Sequence, residues 1–350
     1  MDLVKRYSLY HFKRTIIRFA VILLYCLVVV NFGIHESFDS WDGETYHYFS
    51  LGCYGVSMLF MCFVVAVMEF AEFKNRRNLD SWFSFPLDRW KIALIHYVNG
   101  AVEIFTAHTL SFILGYCKLL PFVKECDLDM SGMFPMFFLI LIMGLCYYGF
   151  LLFPFIVANN TFDGIFFAVL YSLIPSVIIS ILTAAFGIRN LSEYSVGLGY
   201  GLIDEADRCQ NNLTRNMSNW GDVRYKSLEG GDIASIIIWC VIGATVFAAA
   251  VYMFNNLKTE KVGGPSDSIF GYRTLIPIYM FSLVLLWGGT VGFGIIYGIA
   301  TFLLYVVLRR GVKLKLPDII IIVIVTILAN IPVNYVYEFA DLIGRNTWDV

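Results

Sequence analysis

Long apolar runs broken by short polar stretches set the pattern of this chain. A bilayer core needs about 20 largely apolar residues per helix. Runs of that kind occur at about 16–34, 48–70, 92–117, 134–157, 165–187, 233–254, 272–289, 291–308 and 318–338. The pattern predicts an all-α polytopic membrane protein with eight or nine transmembrane helices. The seventh and eighth runs are parted only by Gly288, Gly289 and Thr290, near the glycines Gly292, Gly294 and Gly298, so they form a tight hairpin or one of them is re-entrant. The ninth contains Asn330-Ile331-Pro332, where a kink is expected.

Composition agrees. The chain is 59% hydrophobic and only 15% charged, against about 25% charged in soluble domains. Lys and Arg then orient it. With the N-terminus cytoplasmic, the inner segments hold Lys5, Arg6, Lys13, Arg14 and Arg18, then Lys74, Arg76, Arg77, Arg89 and Lys91, and later Lys258, Lys261, Arg273, Arg309, Arg310, Lys313 and Lys315. Residues 35–47, predicted outside, hold no Lys or Arg, and 118–133 hold Lys118 and Lys124. No A-x-A cleavage site follows the run from Thr15 to Ile34, which is therefore expected to stay as a first membrane helix. The preceding MDLVKRYSLYHFKRT is either an amphipathic helix on the inner surface that then turns into the first span, or a plain basic anchor.

The long polar segment 188–232 falls outside and carries sequons at Asn190, Asn212 and Asn216. These are acceptors in a eukaryotic surface loop and merely asparagines in a bacterial one. Of the eight cysteines, only Cys126 and Cys209 lie in polar connections, on the same predicted side, where a disulfide can form.

Chemistry of the enzymatic kind is hard to place. There is no Gly-Lys dipeptide for a phosphate loop, no HExxH and no GxSxG. His11, His35, His47, His96 and His108 are scattered, with no metal-ligand spacing to a carboxylate or cysteine. The reading is therefore no catalytic residues, no metal and no cofactor on this chain. Basic residues cluster beside apolar spans rather than forming a nucleic-acid footprint.

The third run is the most polar. His96, Asn99, Glu103 and Thr106 recur every three or four residues and so share one helical face. A carboxylate at membrane depth is costly unless paired or hydrated. The stripe is either a translocation path or gating contact, or a helix–helix hydrogen-bond ladder in which His96 or Asn99 satisfies Glu103. Glu69 and Glu72 end the second run beside Lys74, Arg76 and Arg77; they serve as surface ion pairs or as a brace against the basic foot of the first span.

Between the second and third runs lies AEFKNRRNLDSWFSFPLDRWK, residues 71–91. Trp82, Phe83 and Phe85 are large apolar groups on a cytoplasmic connection. They dip into the membrane interface as an aromatic belt or dock in a groove of another protein.

The insert ends in Phe85-Pro86-Leu87-Asp88-Arg89-Trp90-Lys91, and the sixth run exits through VYMFNNLKTEKVGGPSD, with Glu260, Lys261 and Gly263. These motifs, with the basic start, resemble the permease subunits of ABC-2-type exporters, in particular multi-span permeases of Gram-positive bacteria. The resemblance covers about residues 1–265 and implies a six-span permease core there, with the cytoplasmic coupling insert 71–91 and the extracellular loop 188–232; residues 266–350 add further transmembrane helices. It implies that a separate ABC ATPase subunit, carrying ATP and Mg, docks on Arg76, Arg77, Asp80, Trp82, Phe83, Phe85, Pro86, Leu87 and Arg89. A second permease chain, identical or paralogous, and membrane lipids complete the expected partners. The expected cargo is a lipid, a peptide or an amphiphilic small molecule moved across a bacterial cytoplasmic membrane. Two rivals remain: an ion-coupled secondary transporter built on Glu103, and a multi-span receptor or scaffold.

Overall fold

In the computed structural model of the chain, the described residues are 3–34, 36–41, 44–74, 86–125, 128, 130–186, 198–213, 230–256, 262–264, 266, 268–287, 293–309, 311–312 and 314–330. The fold is helical, with α1 (Leu3–Gly33), α2 (Gly52–Phe70), α3 (Arg89–Leu119), α4 (Met133–Val157), α5 (Thr161–Phe186), α6 (Leu198–Leu213), α7 (Gly230–Asn255), α8 (Tyr272–Trp287), α9 (Phe293–Arg309) and α10 (Leu316–Leu328). Short turns at Ala71–Lys74, Phe122–Glu125 and Met130–Gly132 sit among them.

Among the described residues, four helical stretches are long and apolar enough to cross a membrane: Leu3–Gly33, Gly52–Lys74, Met130–Val157 and Ile236–Asn255. Their outward faces are greasy. On α1, Ile17 and Phe32 are each 76% exposed, a placement that water penalises and hydrocarbon does not. Helix α3 is not among the four, because His96, Asn99, Glu103 and His108 interrupt its apolar run.

Two expectations need correction. The N-terminal segment does not turn into the first span: no Gly or Pro separates Leu3 from Thr15, and the chain runs as one 31-residue helix whose buried stripe is Tyr7, His11, Ile22, Cys26 and Val30. Residues 36–49 are not a plain loop. Strands β1 (Glu36–Trp41) and β2 (Glu44–Phe49) pair antiparallel, with Trp41 opposite Glu44. Helix α10 covers Leu316–Leu328 of the ninth run, and the remainder of that run, 331–338, lies outside the described residues.

The chain divides into two compact units. The first, Met1–Glu72, Asp80–Phe153 and Gly197–Leu257, holds α1, α2, α3, most of α4, α6 and α7. In it α1 lies along α3 and α2, and α6 lies on α2. Helix α6 comes out of the segment expected to be loop, and Leu202, Ala206 and Cys209 form its buried stripe. Close contact is possible because Gly55 of α2 lacks a Cβ, which would overlap the Leu202 carbonyl. Asn212 falls on α6, Cys209 packs on Met133 with the two sulfurs 3.8 Å apart, and Cys126, Asn190 and Asn216 lie outside the described residues.

The second unit, Phe73–Leu79, Pro154–Val196 and Lys258–Val350, holds α5, α8, α9 and α10. Gly294 and Gly298 of α9 let α10 approach until Thr326 and Asn330 occupy the space of their missing side chains. Asn160 caps α5, accepting from the Asp163 N–H at 2.8 Å. Asp163 in turn accepts from Ser266 Oγ at 2.5 Å, and Gly263, at φ 81°, donates its N–H to the Asn159 carbonyl at 2.7 Å. Thus the glycine of the Glu-Lys-x-Gly stretch has a positive-φ backbone role, while Glu260 and Lys261 lie outside the described residues.

Candidate functional site

Three helices of the first unit bring their polar residues to one place. The first half of α1 supplies Tyr7, His11, Thr15 and Arg18; the last turn of α2 supplies Glu69; α3 supplies His96, Asn99 and Glu103. Each set follows helical spacing on its own element, so each presents one polar stripe inside an otherwise apolar interface.

Glu69 is the hub, 1% exposed. Its Oε2 accepts from His11 Nε2 at 2.9 Å and from His96 Nδ1 at 2.6 Å. Its Oε1 accepts from Asn99 Nδ2 at 2.9 Å and from Arg18. Because a carboxylate only accepts, those two imidazole nitrogens carry protons. In neutral His96 the remaining Nε2 then accepts from the Tyr7 hydroxyl, 3.1 Å away. Arg18 grips Glu103 with two nitrogens, Nε at 3.2 Å and Nη2 at 2.5 Å. Asn99 Nδ2 also reaches Thr15 Oγ1 at 3.1 Å and Glu103 at 3.3 Å. Two carboxylates, one guanidinium and a ring of neutral donors satisfy one another, which is what burial of charge demands.

On α3, His96, Asn99 and Glu103 are buried together, and the partners of the stripe differ from the expectation at two positions. Of the two donors expected at Glu103, Asn99 reaches it at 3.3 Å, while His96 serves Glu69 and Arg18 is the main partner of Glu103. Thr106 is not in the cluster; its hydroxyl donates back to the Val102 carbonyl at 2.8 Å. The brace expected of Glu69 and Glu72 takes shape at their partners, Glu69 with Arg18 and His11 and Glu72 with Arg14 at 3.1 Å. Tyr7, His11 and Arg18 were not singled out from the sequence as site residues. Arg18 entered only the count of basic residues that orients the chain, and Tyr7 and His11 fell in the segment expected to precede the first span.

The foot of the insert meets the same helix. Pro86 and Leu87 form a bend before α3, Arg89 is its first residue, and Lys91 pairs with Asp88 at 2.5 Å. Pro86 and Leu87 join Leu3, Arg6, Tyr7 and Tyr10 around an open groove of about 250 Å³. Tyr7 therefore belongs to the groove wall and to the buried cluster at once. Arg76, Arg77, Asp80, Trp82, Phe83 and Phe85 lie outside the described residues.

Among the described residues, one set of metal-ligand type converges: His11 Nε2, Glu69 Oε2 and His96 Nδ1 lie within 4.8 Å of one another. Spacing along the sequence does not reveal it, since each ligand comes from a different helix.

No protein-family model matches this chain, and no curated protein or solved structure matches it either.

Proposed function

We propose that this chain is the membrane-spanning permease subunit of an ATP-driven exporter in a bacterial cell membrane, with its N-terminus cytoplasmic and eight or nine spans. ATP is hydrolysed on a separate subunit, which docks on the insert 71–91; a second permease chain completes the path for a lipid, peptide or amphiphile. The observation that carries this reading is the double placement of Tyr7. One side of it lines the groove beside Pro86 and Leu87, and its hydroxyl reaches His96 in the buried cluster. A partner pressing on the insert foot therefore has a short mechanical route to α1, α2 and α3. Coupling requires such an element, which two sites bias in common.

Binding to the partner is tested by co-purification with an ABC ATPase subunit of the native host. Trp82, Phe83 and Phe85 changed together to Ala, or Leu87→Asp with Arg6→Glu, should abolish the complex while the permease still elutes as a single species. An intact complex in both variants rejects the docking assignment.

Glu103 favours a second reading, an ion-coupled carrier, because it is a fully buried carboxylate in an apolar helix. Its bidentate pairing with Arg18 leaves it little freedom to exchange a proton. Substrate uptake into vesicles driven by a pH gradient, with no ATPase present, would establish the carrier.

A further inference from the structure

We propose that His11, Glu69 and His96 form a binding site for a divalent first-row transition-metal ion. Two imidazole nitrogens and one carboxylate oxygen are the donor set of three-ligand zinc sites with an open fourth position, and of related iron sites. Hard ions such as calcium and magnesium take oxygen donors instead.

The three side chains are 2%, 1% and 0% exposed, so they are held by packing before any ion arrives. The rings of His11 and His96 have centroids 3.9 Å apart at 47°, an arrangement that lets both aim a nitrogen at one point beside Glu69. Around an ion with donors at about 2.0–2.1 Å, tetrahedral neighbours stand about 3.3 Å apart. The present contacts to Glu69 Oε2, 2.9 and 2.6 Å, must open by about 0.4 and 0.7 Å, and the two imidazole nitrogens, within 4.8 Å of one another, must settle at the same separation.

Proton accounting is simple. Each neutral imidazole presents a nitrogen to the ion by moving its proton to the other nitrogen, so neither loses charge. In His96 the proton moves to Nε2 and is donated to the Tyr7 oxygen, which reverses the hydrogen bond at 3.1 Å. Glu69 is kept in place by Asn99 on its other oxygen. Outer partners of this kind orient metal ligands. The charge also fits. Arg18 is matched by Glu103, which leaves the charge of Glu69 for the ion and one further anionic or water ligand in the open position.

The test uses the purified full chain in lipid nanodiscs, stripped with a chelator, and needs no ATPase. Wild type should bind one equivalent of Zn²⁺ against a competing indicator, and Co²⁺ should give the intense visible bands of a tetrahedral nitrogen and oxygen site. His11→Gln and His96→Gln should lose that equivalent, Tyr7→Phe should weaken it about tenfold as an outer partner, and Cys117→Ser, at an exposed thiol, should leave it unchanged. X-ray absorption of the zinc-loaded wild type should show imidazole and oxygen at about 2.0–2.1 Å, which covers the case of a variant that does not fold. No bound equivalent, binding that survives both histidine changes, or sulfur in the zinc shell would overturn the site.

Discussion

Arg18 on α1 and Glu103 on α3 form a bidentate ion pair, 85 positions apart in sequence, while the same guanidinium reaches Glu69 on α2. One arginine therefore ties three helices. Removing one member of a buried pair strands its partner, which typically costs about 3–5 kcal/mol. Arg18→Met should accordingly lower thermal stability in detergent sharply, by leaving Glu69 and Glu103 unpaired together. Arg18→Met with Glu103→Gln should cost less than the two single changes summed, because the double change removes both charges of the bidentate pair. Strict additivity in that cycle would contradict the pairing.

Lys74 is 7% exposed, and its Nζ donates to the Ala158 carbonyl at 2.6 Å and to that of Ile156 at 3.4 Å. These carbonyls lie at the end of α4, where the helix leaves acceptors without partners and a cation is favoured. Lys74→Met should destabilise the protein by about 1–3 kcal/mol, the usual loss for buried polar groups left unsatisfied. Melting by intrinsic fluorescence gives the comparison, and a wild-type melting temperature in Lys74→Met would show that water already serves these carbonyls.

Gly55 permits the backbone of α6 to rest on α2. Gly55→Val places a side chain where the Leu202 carbonyl stands, so α6 must shift outward and uncover its buried stripe. Cys209, 4% exposed, should then react with a maleimide several times faster than in wild type, as read by mass spectrometry of the Cys209 peptide. Unchanged labelling would mean that α6 does not pack through Gly55.

How far the sequence carried these results depends on the range of the information. Apolar runs located the first six long helices to within a few residues, apart from the fusion of the N-terminal segment into α1, because a long apolar run is a matter of local composition alone. The stripe His96, Asn99, Glu103 was legible for the same reason: its period is that of a single helix. Its partners were not. His11, Arg18 and Glu69 approach it from other helices, and no spacing rule links position 18 to position 103. Arg18 was counted as one more basic residue marking the inner side, although it is only 10% exposed. Helix α6 was hidden by its own composition, since Gly199, Gly201, Asp204, Asp207 and Gln210 read as loop, and the buried face mixes Leu202, Ala206 and Cys209 with Gly201 and Glu205. The aromatic insert was legible as a feature, and its meaning still rests on the resemblance.

The coupling proposal makes its sharpest prediction at Tyr7. Tyr7→Phe keeps the ring in the groove wall and deletes only the hydroxyl that meets His96. If the groove serves docking alone, the variant should bind the ATPase and transport as wild type does. If the hydroxyl transmits the motion of the insert to Glu69, binding should persist while cargo-stimulated ATP turnover falls. One neutral hydrogen bond is worth about 1 kcal/mol, so the expected loss is about fivefold. Leu87→Asp supplies the opposite pattern, since it spoils the groove wall and leaves the cluster intact: the ATPase should bind weakly, and the stability of the permease alone should be unchanged. Measuring complex formation and turnover on both variants separates contact from transmission. A Tyr7→Phe variant that loses binding, or keeps full turnover, removes Tyr7 from the route.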